Sequence, residues 1–140
     1  MTPTLGRKKQ SHAEDQMQAA IIQHIELRKM PGLLYWHTPN SSKMGGKRTA
    51  QGVPLAAIRL KKLGLLPGVS DLLFLFDGHF YALELKSEGQ RPTEAQFVYG
   101  AAVNAAGGTA FWTDSLDRAL AILETWGLIR PNAMLKTRVG

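Results

Sequence analysis

The sequence contains no cysteine. Disulfides, thiolate metal sites and cysteine nucleophiles are thereby excluded. Any metal must be held by oxygen or by the four histidines, and oxygen ligands favour magnesium or manganese. Long apolar runs are also missing. None approaches the roughly 20 residues that cross a bilayer, so no membrane span is expected. The opening stretch MTPTLGRKKQ is basic but leads into no apolar segment. It does not read as a secretory leader, and a cytoplasmic location is the default expectation. Acid is scarce too: 11 Asp+Glu stand against 17 Lys+Arg, a net charge of +6. Such a balance suits a polyanionic partner such as DNA, although basic charge also serves plain solubility.

The cations are grouped. Arg7, Lys8 and Lys9 sit near the start, Lys43, Lys47 and Arg48 in a Gly-rich stretch, and Lys136 and Arg138 at the end. At 140 residues and 44% hydrophobic content the chain fits one domain with a core of its own. We divide it into a flexible basic arm over 1–10, a single domain over 11–130 and a weakly structured tail over 131–140.

From Ser11 the pattern becomes helical, with Met17, Ile21, Ile22, Ile25 and Leu27 as the apolar stripe and Ser11/Glu14 at capping-box spacing. Pro31-Gly32 ends this helix. Residues 33–37 form a strand candidate, 39–52 an exposed loop and 53–63 a short helix closed by Gly64. Residues 71–76 are nearly all apolar, as in a strand buried on both faces. Asp77-Gly78 is a hairpin signal, and 79–86 makes the second strand. Thr93 opens a helix that runs to about Ala106, 109–113 is another strand, and 115–126 a final amphipathic helix. This order predicts an α/β fold: a mixed sheet with helices on both faces.

Three residues stand out around the hairpin. Alternation puts Glu84 and Lys86 on one strand face, and the antiparallel turn brings Asp71 to their level. Two carboxylates and an ammonium then converge at one end of the hairpin. Close carboxylates repel unless a cation lies between them, and magnesium suits such a site. The cation would activate water and neutralise phosphate charge, with Lys86 holding that water or stabilising the developing oxyanion. The plainer reading is a solvated ion pair with Asp71 as a turn residue. Asp77 belongs to the turn, Glu88 and Glu94 are expected to be exposed, and the histidines show no shared metal spacing, with His37 alone near the site. Trp36, Trp112 and Trp126 are assigned to the core rather than to base stacking.

Pro67-Gly68-Val69-Ser70-Asp71, followed by a hydrophobic strand and Glu84-Leu85-Lys86, resembles the signature of the PD-(D/E)XK nucleases. More narrowly, the chain resembles the VRR-NUC family, the virus-type replication-repair nuclease domain, in a stand-alone short form. Glu14 with Gln18 resembles that family's first-helix motif. Pro39-Asn40 with Gly46-Lys47-Arg48 resembles the loop after its first strand. Gly68 to Asp71 resembles its G-x-P-D, and Thr93-Glu94-Ala95-Gln96 its S-P-E-Q. Gly107 before the last strand also fits, so the likeness runs from about Glu14 to Glu124. Ser70 stands where the family usually has proline, and the loop between Asn40 and Lys47 is longer than usual.

The resemblance implies a restriction-endonuclease-like αβββαβ core and Mg²⁺ or Mn²⁺ bound by Glu14, Asp71, Glu84 and the Leu85 carbonyl. It makes Lys86 catalytic and Gln18 and Gln96 supporting. Glu14 has an alternative as the N3 residue of a Ser11 capping box, and Gln96 as that of a Thr93 box. Asn40, Lys43, Lys47 and Arg48 are the DNA-contact candidates, with solvated loop charge as the alternative for the two cations nearest the short helix. The implied activity is a structure-directed DNA endonuclease resembling Holliday-junction resolvases, acting on branched DNA as a homodimer. A phage or prophage origin is compatible with it. The alternatives are a catalytically idle DNA-binding module and a restriction- or repair-type nuclease of the same fold.

Overall fold

Asp77 and Gly78 both take positive φ, 50° and 76°, the two left-handed conformations a tight hairpin turn requires. They join β2 (Leu72–Phe76) to β3 (His79–Leu85). The computed structural model describes residues 3–39 and 46–132, with the side chains of the first helix from His12 onward. The remaining elements are α1 (Pro3–Arg28), β1 (Leu34–His37), α2 (Leu55–Lys62), α3 (Glu94–Ala105), β4 (Thr109–Thr113) and α4 (Leu116–Thr125). The sheet order is β1-β2-β3-β4. The first two pairings are antiparallel and β3–β4 is parallel, with α3 as the crossover. The sheet is therefore mixed, as expected. Among the described residues no helix is long and apolar enough to cross a membrane.

Alternation along β2 and β3 divides the sheet into two faces. Leu72, Phe74, Leu83 and Leu85 turn to one side. There they pack with Ile21 and Ile25 of α1, Ala119, Leu120 and Leu123 of α4, and Leu128 and Ile129 beyond it. The other face carries Ala82 and Glu84, beside Ala110 and Trp112 of β4, and α3 lies over this half. Gly100 of α3 comes close to Ala110. The β1 side of the same face is more open: Leu34 and Trp36 of β1 and Leu75 of β2 are exposed.

Several expectations need correction. α1 does not start at Ser11 but reaches back to Pro3, through residues expected to form an arm. The segment Arg7–Gln16 contains neither proline nor glycine and is rich in helix formers, and proline suits a first turn. Ser11 is thus a helix-interior position, and Glu14 is not the N3 residue of a cap. Leu27 was placed on the apolar stripe but is 82% exposed. It lies about 200° around the helix from Ile25, and Arg28 takes the inward position instead. Trp36 is 40% exposed rather than core, on an edge strand with the Phe80 ring tilted against it at 6.4 Å. Residues 133–140 of the expected tail lie outside the described residues.

Candidate active site

The site grows from the open end of the β2–β3 hairpin. Leu72 pairs with Leu83, so Asp71, one residue before β2, stands across from Glu84. Asp71 is held at both ends. Its Oδ2 accepts the Leu85 N–H at 2.8 Å, and its carbonyl accepts the Thr38 N–H at 3.0 Å. The approach to Asp71 depends on Gly68, whose φ is +76°. A Cβ there would sit 2.3 Å from the Ala95 carbonyl oxygen. Glycine is therefore required twice, for its conformation and for backbone-to-backbone contact with the start of α3. That contact sets α3 against the hairpin end.

α3 then supplies Gln96. Thr93 caps the helix through its hydroxyl, which accepts the Gln96 N–H, and Gln96 Oε1 accepts the Thr93 N–H at 2.8 Å. The other end of the same amide, Nε2, donates to Glu84 Oε2 at 2.7 Å. Gln96 therefore caps α3 and hydrogen-bonds Glu84 at once. Lys86 Nζ lies 3.8 Å from the same Glu84 oxygen, and both side chains are largely buried.

Glu84 is only 5% exposed, and its Oε1 meets no donor. The Asp71 carboxylate lies beside it. Burial, then the Asp71 charge, push the Glu84 carboxyl up to about 9. Burial raises Asp71 as well, against the Leu85 N–H bond that holds it down. Left to itself, the pair resists carrying both charges at once. Such a pair is a site short of positive charge. The donor set consists of carboxylate oxygens with one oxygen unused, which fits a hard divalent cation.

Glu14 comes from α1 to the same end of β3. Its Oε1 accepts the Ser87 N–H at 3.2 Å, and its charge adds to the upward push on Glu84. As the side chains stand, no three His, Asp or Glu among the described residues are grouped closely enough to enclose a cation. The Asp71–Glu84 pair is the nucleus, and Glu14 is a neighbour engaged with Ser87. Gln18, one turn further along α1, is half-buried. Leu85 gives its side chain to the core and its N–H to Asp71.

The loop candidates divide. Asn40 and Lys43 lie outside the described residues. Lys47 and Arg48 are exposed, and their segment folds back on itself: the Lys47 carbonyl accepts the Leu55 N–H, and Arg48 Nη1 donates to the Gly52 carbonyl at 2.8 Å. Arg48 therefore has a local structural role. Glu88 and Glu94 are exposed. His37 is exposed and pairs with Leu72, which puts it on the sheet face opposite Asp71 and Glu84. His24 and His79 are occupied elsewhere, with Arg28 and Thr109. Two residues escaped sequence reasoning. Ser87 is buried, orients Glu14 through its N–H and has a hydroxyl without a partner. Thr38 anchors Asp71 through its backbone. No local pattern marks either; Ser87 shows only by following Lys86.

No family model and no curated protein matches the sequence. Among solved structures the chain is similar to a VRR_NUC domain protein at a TM-score of 0.63 and 18% identity, over 81% of this chain and 86% of that one. The chain thus has the fold of a VRR_NUC domain, an α/β fold with a four-stranded mixed sheet flanked by helices.

Proposed function

We propose that the chain is a metal-dependent nuclease that hydrolyses phosphodiester bonds in DNA. The observation that carries this reading is the buried Asp71–Glu84 carboxyl pair at the hairpin end, in a fold shared with a VRR_NUC domain protein. Asp71 and Glu84 would hold Mg²⁺ or Mn²⁺, with Glu14 and the Leu85 carbonyl as the further candidate ligands. The cation, when bound, supplies Lewis acidity toward a phosphate oxygen and toward water. The residues of the chain do the rest. The Leu85 N–H fixes Asp71, and Gln96 fixes one oxygen of Glu84, leaving the other without a hydrogen-bond partner. Lys86 holds an ammonium within 4 Å of that carboxylate, where it can orient water or offset charge growing on the phosphate. In the reaction the water oxygen bonds to phosphorus and one P–O ester bond breaks; one water proton is given up to solvent or base and the leaving oxygen takes one up, leaving a phosphate end and a hydroxyl end.

The finer reading is a structure-directed endonuclease of the junction-resolving kind that works as a homodimer on branched DNA. One small domain offers one such site, and a four-way junction needs two symmetric nicks, which a two-fold dimer provides. The test is a panel of linear duplex, flap and four-way junction DNA with Mn²⁺, with Mg²⁺ and with EDTA, alongside light scattering at micromolar concentration. The expected result is cation-dependent cleavage, fastest on the junction, by a protein of dimeric mass. Binding without cleavage under any cation would leave the idle DNA-binding module. Equal rates on junction and linear duplex would favour a restriction- or repair-type nuclease, and a monomeric mass on free protein and complex alike would refute the dimer.

A further inference from the structure

Between Glu26 and Asp71 the chain contains no acidic residue and eight basic ones. The middle of this acid-free stretch is α2. None of its residues is buried. It makes no substantial packing with any other helix or strand among the described residues. Val53, Leu55, Ile58, Leu63, Leu65 and Leu66 are all exposed large apolar side chains, and all lie within 14 residues. The last turn of the helix adds Arg59, Lys61 and Lys62. A helix whose apolar and basic groups are both left to solvent is a surface without its ligand.

The segment is tied to the site. Leu65 and Leu66 line a small cavity of about 60 Å³ together with Gly68, Asp71 and Gln96. Lys62 is three residues from Leu65, so its backbone lies within about 11 Å of the groove by chain length alone. An acid-free basic surface that runs into a carboxylate site complements a polyanion whose phosphate must reach that site. A stacked duplex offers such a surface phosphates, sugars and base edges but hides its base faces. Unpaired nucleotides also offer bare base faces, against which aliphatic side chains can be buried.

We propose that α2 and the turn after it form a nucleic-acid docking ridge. Arg59, Lys61 and Lys62 take backbone phosphates, and Leu65 and Leu66 bury the exposed faces of unpaired nucleotides next to the cleavage site. The ligand class rests on the nuclease reading. The ridge itself rests on exposure, charge and continuity with Asp71, and is distinct from the loop cations Lys47 and Arg48.

The experiment measures equilibrium binding of the full chain in EDTA, to a continuous duplex and to a duplex of equal length with a short unpaired flap, across a salt series. The Arg59→Ala, Lys61→Ala, Lys62→Ala variant is expected to weaken both complexes and to lower the log–log salt slope on duplex by up to about 2.7, at about 0.9 per phosphate contact. The Leu65→Ser, Leu66→Ser variant is expected to lose ~5-fold or more on the flap DNA, with the duplex affinity and both salt slopes unchanged. All these side chains are exposed, so melting temperatures should hold. An unchanged slope in the first variant, or equal losses on both DNAs in the second, overturns the proposal. A fall in oligomer mass in the leucine variant with DNA binding intact assigns the leucines to self-association and overturns it as well. So does binding to anionic vesicles without binding to DNA. Wild-type cleavage in Mn²⁺ with both variants binding normally removes the ridge and leaves the nuclease reading. Variant-sensitive binding by a wild-type chain that cuts nothing keeps the ridge and removes that reading.

Discussion

Two clusters of charge are drawn into this fold, and they are opposites. Arg28 of α1 is 3% exposed, and each of its three guanidinium nitrogens has a partner: it pairs with Glu124 of α4, reaches the His24 ring and donates to the Arg130 carbonyl at 2.8 Å. Charges of opposite sign meet there, and the cluster ties both ends of the domain to one core. At the hairpin end the Asp71 and Glu84 carboxylates meet a like charge, with Lys86 as partial relief and one Glu84 oxygen without a donor. A buried cluster that satisfies itself adds to stability. One that leaves itself short of charge costs stability, and selection keeps it where a ligand completes it. Substitutions should therefore act in opposite directions at the two places.

The largest expected effect is at the unsatisfied cluster. If Asp71 and Glu84 hold the proposed cation, Asp71→Asn and Glu84→Gln should each lower metal-dependent cleavage by ~10³-fold or more. The metal-free protein should melt at the same temperature or higher, because one of two repelling acids has gone. Cleavage within tenfold of wild type by either purified variant would remove the pair from the chemistry. Next in size is the satisfied cluster. Arg28→Ala leaves the Glu124 carboxylate and the Arg130 carbonyl without their partner, a change that costs about 3 kcal/mol for a buried pair, less to the extent that Glu124 keeps solvent contact. Urea titration measures this, and cleavage per folded molecule should be unaffected. A drop in turnover at full folding would join the two clusters functionally.

The contrast also explains what could be read in advance. The hairpin turn at Asp77-Gly78 and the Thr93–Gln96 box are local, set by residues at most three apart, and both were legible. The Asp71–Glu84 pairing followed because a tight turn fixes register over the few residues beside it. The Arg28–Glu124 pair spans 96 residues, so no spacing rule reaches it. Ser11 illustrates the reverse failure. A locally plausible cap was read where flanking helix formers carry the helix past it to Pro3. Glu14 lies between these cases: its residue was legible, but its partner, the Ser87 N–H, depends on how α1 packs against β3.

The third effect concerns pH and tests whether the unsatisfied cluster lacks a cation. Glu84 binds its proton more tightly folded than unfolded, with the value moved from 4.5 up to about 9. Its stabilising contribution is therefore fully present below about pH 4.5 and is lost as pH rises toward about 9, by at most about 1.4 kcal/mol per pH unit. Metal-free protein should show a melting temperature that declines across this window, and Glu84→Gln should decline less. Mn²⁺ must displace the proton, so its affinity should rise over the same window, and saturating Mn²⁺ should flatten the melting curve against pH. Mn²⁺ affinity independent of pH would show that the cation does not bind at Glu84.

The smallest effect separates the two duties of Gln96. Thr93→Ala removes the hydroxyl that accepts the Gln96 N–H, yet leaves the amide of Gln96 in place beside Glu84. Gln96→Ala removes the reciprocal cap and the donor to Glu84 together. Both variants should lose about 1 kcal/mol of stability, the usual worth of an N-cap. Only Gln96→Ala should affect the chemistry, by ~10-fold in turnover, because a supporting hydrogen bond to a metal-binding carboxylate is worth about that much. Each variant loses one half of the box, and only Gln96→Ala also loses the donor to Glu84, so a difference in turnover between them reports that donor. If Thr93→Ala slows cleavage as much as Gln96→Ala, Gln96 acts by placing α3 and not by holding the carboxylate. If neither slows it, Glu84 keeps its orientation from the strand alone, and the bond at 2.7 Å belongs to the fold instead of the site.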